Sequence, residues 1–104
     1  MKVDVKIINL NETINIFADD IEKKIVLNGL PVDFDPVKFV SEVSVITYNW
    51  EENNINNSII DGERYAISII SNNNKQRKIM GKNNFPFNYK DLVKLLNEVK
   101  GNGN

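Results

Sequence analysis

The chain has 104 residues, a formal net charge of −1, and neither histidine nor cysteine. That length suits a single domain with one modest core. The composition excludes disulfides, thiol chemistry, an ordinary zinc site and the usual general base near neutral pH.

Residues 2–8 alternate charge with β-branched side chains, Val3, Val5 and Ile7 on one side and Asp4 and Lys6 on the other. This period of two predicts a half-buried strand. A polar turn at 9–12 leads to a second alternating run, 13–17, and the pair reads as a hairpin. After the Asp19-Asp20 turn, 22–27 reads as a third strand. Asn28-Gly29 is a strong hairpin signal, but Pro31 would interrupt a central strand, which favours a turn leading into a helix. Asp35 is the expected N-cap of that helix, with Pro36 at its first position and a Phe34–Phe39 staple. The helix is expected to run on to Trp50, although the β-branched run 43–48 leaves a strand open at its C-terminal end.

Residues 51–60 read as a polar loop and Asp61-Gly62 as a turn. Tyr65, Ile67 and Ile69 then mark a strand. Asn72 to Asn74 make a turn that tolerates left-handed backbone, and 75–80 returns as the hairpin partner. A loop, 81–87, precedes a last helix capped by Asn88, with a Phe87–Leu92 staple and a buried stripe of Leu92, Leu95, Leu96 and Val99. Gly101 marks its end. The expected fold is α+β, in the order β-β-β-α-β-β-α: a mostly antiparallel sheet with both helices on one face. Residues 1–100 form the single domain, and 101–104 a frayed tail.

The longest apolar runs fall far short of the roughly 20 residues that a membrane span needs. The alternating N-terminus is unlike a signal peptide. With the lack of cysteine, these features place the expected site of action in the cytoplasm.

No catalytic set emerges. The carboxylate pairs on offer are Asp19/Asp20, Asp33/Asp35, Glu51/Glu52 and Asp61/Glu63. They sit in turns or at a helix cap, not across a cleft. Asp33 and Asp35 run into Pro36 and lack the later ligands of a calcium loop. No glycine-rich phosphate loop occurs, so no cofactor is expected.

Two binding surfaces remain as candidates. The first comprises Asp33, Tyr48, Trp50, Glu51 and Glu52, an aromatic and acidic set suited to a protein partner. Trp50 itself reads first as a core anchor and second as an interface residue. The second comprises Lys75, Arg77, Lys78 and Lys82, which would touch nucleic-acid phosphates or protect an exposed strand edge. A pI of about 5.4 argues against a nucleic-acid binder. Acidic residues dominate up to Arg64 and basic ones beyond it, so the molecule is dipolar if the two parts occupy different faces.

Two stretches carry a family likeness: Trp50 followed by a polar loop and Ile60-Asp61-Gly62-Glu63-Arg64-Tyr65-Ala66-Ile67-Ser68-Ile69, and Gly81-Lys82-Asn83-Asn84-Phe85-Pro86-Phe87-Asn88-Tyr89 with Leu92, Leu95 and Leu96. Together they resemble small uncharacterised proteins of low-GC bacteria, over about the second half of the chain. The resemblance implies a strand hairpin that passes through a glycine-to-proline loop into the last helix. Such proteins often accompany toxin or mobile-element genes. It therefore implies an immunity or inhibitor role. A phage-encoded inhibitor of a host defence nuclease and a weak nucleic-acid-binding accessory protein are the alternatives.

Overall fold

The structure, a computed structural model, describes residues 1–56 and 62–101. Their elements run β1 (Lys2–Ile8), β2 (Thr13–Asp19), β3 (Lys24–Leu27), β4 (Leu30–Pro31), α1 (Pro36–Ile46), β5 (Asn53–Ile55), β6 (Arg64–Ile70), β7 (Gln76–Lys82) and α2 (Tyr89–Gly101). One seven-stranded sheet has the order β4-β3-β2-β1-β6-β7-β5. All neighbours are antiparallel except β5 and β7. The fold is the expected α+β class, with two edge strands added.

Alternation assigns the faces. Val3, Val5 and Ile7 of β1 stand opposite Ile69, Ile67 and Tyr65 of β6, and all six are buried. Ile14, Ile16 and Ala18 of β2 and Ile79 of β7 extend this layer. It packs against Phe39, Val40 and Val43 of α1 and Leu92, Leu95, Leu96 and Val99 of α2 in one cluster. Burying each large aliphatic side chain contributes about 1.5–3 kcal/mol. Both helices therefore share one face of the sheet, and no described element covers the other.

The start of α1 follows its sequence. Asp35 accepts from the Val37 N–H at 2.9 Å, Pro36 begins the helix, and Phe34 meets Phe39 edge-on. Its end comes earlier than expected. The helix stops at Ile46, with Thr47 as C-cap, so Trp50 lies beyond it in an irregular segment.

Asn28-Gly29 does close a hairpin, with φ positive at both residues. Pro31 is accommodated because β4 is a two-residue edge strand. Part of the polar segment after Trp50 is a strand, β5, laid parallel on β7 with Asn54 beside Gly81. Gly81 itself lies within β7 and not in a loop. The turn expected at Asp61-Gly62 and the tail beyond Gly101 fall largely outside the described residues.

Candidate protein-binding surface

The segment from Thr47 to Glu52 connects α1 to β5. The turn of chain after the helix closes on itself: the Thr47 N–H reaches the Val43 carbonyl at 3.0 Å, and the Trp50 N–H reaches the Thr47 carbonyl at 3.0 Å. Outside groups then hold it. Arg77 Nη2 donates to the Trp50 carbonyl at 2.7 Å and to the Tyr48 carbonyl at 3.4 Å. Asn54 Nδ2 donates to the Glu51 carbonyl, and the Met80 N–H to the Glu52 carbonyl, both at 2.9 Å. Few backbone acceptors in the segment are left to solvent, which restricts the shapes it can take.

Trp50 anchors this arrangement from below. It is only 6% exposed, and its indole meets Tyr65 edge-on and Tyr89 at a tilt. The indole N–H donates to Asn88 Oδ1 at 2.7 Å. Asn88 Nδ2 donates in turn to the Ile46 carbonyl at 2.9 Å. One carboxamide therefore joins the end of α1, the Trp50 ring and the start of α2. Its side chain is thus occupied elsewhere and does not cap α2; the Asp91 N–H takes the Asn88 backbone carbonyl instead.

Burial removes Trp50 from direct contact with a partner, so the interface reading of that residue is corrected to a core anchor. Tyr48 is 78% exposed, and Glu51 and Glu52 are exposed with it. Asp33 does not join them. It precedes the N-terminus of α1, whose 11 residues span about 16 Å before Tyr48 is reached.

Sequence reasoning assigned Phe87 to a staple with Leu92. The ring is instead 93% exposed, one residue before Asn88. Tyr48 lies two residues after Ile46, so the Asn88–Ile46 bond has an exposed aromatic close by on each of its chains. Phe85 is half-exposed and stacks on Tyr89 with centroids 4.6 Å apart. No signal in the sequence could have shown this, because Asn88 reads as a cap whether or not its side chain is engaged elsewhere.

Tyr89 closes the cluster. Its hydroxyl donates to Glu63 Oε2 at 2.6 Å, and Asn9 Nδ2 reaches Glu63 Oε1 at 3.3 Å. Burial pushes the Tyr89 phenol well above the ordinary tyrosine range, and the Glu63 carboxylate raises it further. Burial also raises Tyr65, opposed by a hydrogen bond from Asn54.

The four basic candidates are divided by the sheet. Lys78 and Lys82 point to the uncovered face, while Arg77 points to the helix layer and is spent on Trp50. Lys75 closes the Ser71–Lys75 turn. Among the described residues, no group of three or more Asp or Glu is arranged to hold a metal ion, and no helix is long and apolar enough to cross a membrane. No family model, curated protein or solved structure matches the chain.

Proposed function

We propose that this chain is a non-enzymatic protein-binding module acting in the cytoplasm, an immunity-type inhibitor that neutralises a bacterial toxin. The braced segment 47–52 carries the reading. It presents an exposed tyrosine and two carboxylates on a backbone held by Arg77, Asn54 and Met80. A surface already fixed in shape loses little conformational freedom on docking, and exposed aromatic residues are frequent binding hot spots. The acidic pair suits a partner with a basic surface, as toxins acting on nucleic acids have. The resemblance to small proteins of low-GC bacteria supports the same role, as does a composition without histidine or cysteine.

Co-expression with the product of the adjacent reading frame tests the proposal. The wild-type chain should relieve growth arrest and co-purify with that product. The Tyr48→Ala/Phe87→Ser double variant should do neither while remaining folded. Full protection by the double variant, or no complex with wild type, would overturn it.

A further inference from the structure

The uncovered face of the sheet carries a second, independent surface. On β1, Lys2, Asp4 and Lys6 point to this face; on β6, Arg64, Ala66 and Ser68; on β7, Gln76, Lys78, Met80 and Lys82. The outer strands of this trio lie about 10 Å apart. They form two rails of lysine flanking β6, whose small Ala66 and Ser68 make a floor. A depression of about 390 Å³ opens at one end, where Lys6, Arg64 and Lys82 surround an apolar lining that includes Ile8, Ile55 and Met80.

Five cations, Lys2, Lys6, Arg64, Lys78 and Lys82, share this trough with Asp4, and Lys2 also stands opposite Asp19 of β2. The ion pairs found among the described residues are Met1–Asp20 and Lys100–Glu12, and neither lies here. Asp4 is the one carboxylate on these three strands, and Asn15 Nδ2 engages it at 2.5 Å. Arg64 and Lys82 stand directly opposite each other across the β6–β7 ladder. Like charges in that position oppose sheet pairing. A chain that is net acidic overall thus gathers an excess of cations on one flat face, at a local cost to its own sheet.

From this geometry we infer that the trough binds single-stranded nucleic acid through its phosphate backbone. A regular polyanion matches cations distributed along two parallel rails. A channel about 10 Å wide accepts one strand, with Met80 and Ile55 offering apolar contact to bases at its margin. The trough lacks an aromatic floor, so binding is insensitive to sequence and depends on salt. The acidic remainder of the molecule confines the polyanion to this face.

The test is fluorescence anisotropy of a labelled oligothymidylate of about 16 nucleotides. Wild-type affinity should fall with salt, with a log–log slope of about −3 for four phosphate contacts. The triple variant Lys6→Gln/Arg64→Gln/Lys82→Gln should bind at least about tenfold more weakly and lose about 2 units of slope. The control Lys38→Gln/Lys90→Gln/Lys94→Gln, with the same charge change on the helix layer, should bind like wild type. Lys82→Gln singly covers the case in which the triple variant fails to fold. It should weaken binding while raising the urea midpoint, because it removes a like-charge pair. No saturable binding by wild type at low salt would overturn the inference, as would equal weakening by the control. Polyglutamate competing as well as the oligonucleotide would overturn it in favour of an acidic protein surface.

Discussion

The Trp50 indole and the Asn88 carboxamide form the joint between the two helices and the sheet. The indole N–H donates at 2.7 Å, and the other arm of Asn88 reaches the Ile46 carbonyl at 2.9 Å. Replacing Asn88 with Ala leaves a buried donor and a helix-end acceptor without partners. Each loss costs about 1–3 kcal/mol where water cannot substitute. Asn88→Ala should therefore destabilise the protein by roughly 2 kcal/mol or more, measured by urea unfolding. Asn88→Asp keeps the acceptor for Trp50 but loses the donor to Ile46, and should retain part of the stability.

Gly81 and Tyr65 form a second fixed pair. They are cross-strand neighbours, and a Cβ added at Gly81 would fall 2.0 Å from Tyr65 Cζ. The glycine is needed here for close approach of a ring to the strand, not for a turn. Gly81→Ala should cost about 1–3 kcal/mol through overpacking. In a Tyr65→Leu background its additional cost should shrink. The urea-unfolding double-mutant cycle would then be non-additive, as expected for residues in contact.

These two pairs show where the sequence was legible and where it was not. The strands around Val3, Val5 and Ile7 and around Tyr65, Ile67 and Ile69 announce themselves, because a sheet covered on one side imposes a period of two. Asp35-Pro36 announces the start of α1 by cap chemistry. Strand β5 does not, because its order comes from the free edge of β7 rather than from any pattern in Asn53 to Ile55. Asn88 misleads because an asparagine before a helix has the same signature whether its carboxamide caps that helix or ties down a distant indole. The basic trough is hidden for a related reason. Lys2 and Lys6 stand in the acidic part of the chain, and only the β1–β6–β7 order brings them beside Lys78 and Lys82.

The exposed aromatics should separate binding from stability. Tyr48 and Phe87 bury little surface, so Tyr48→Ala and Phe87→Ser should each change stability by no more than about 0.5 kcal/mol. The same substitutions should weaken a protein complex strongly if their surface is the docking face, since central aromatic contacts often cost about 2 kcal/mol or more on truncation. Thermal unfolding and titration calorimetry on the same samples provide both readings. Trp50→Ala, by contrast, should cost about 3–5 kcal/mol of stability, because its buried ring packs against both Tyr65 and Tyr89.

Asp19 supplies a pH dependence with a defined sign. Its carboxylate accepts from the Ile21 N–H at 2.9 Å and the Glu22 N–H at 3.2 Å, closing the turn after β2. The Glu22 amide does most to hold its pKa below the ordinary carboxylate value. Burial opposes this, and the Ile21 amide, Lys2 and the terminal ammonium assist it. The folded protein therefore binds this proton less readily than the unfolded chain does. The resulting stabilisation is complete above the ordinary carboxylate pKa and is lost as pH falls through the lower folded-state value. Asn at this position keeps an acceptor oxygen but has no charge. The stability difference between wild type and Asp19→Asn should thus be largest near neutral pH and shrink in acid, followed by urea unfolding between about pH 7 and pH 2. Titrations of the other carboxylates are common to both proteins and cancel in that difference. A difference that stayed constant across the range would show that the turn relies on the acceptor geometry of residue 19 and not on its charge.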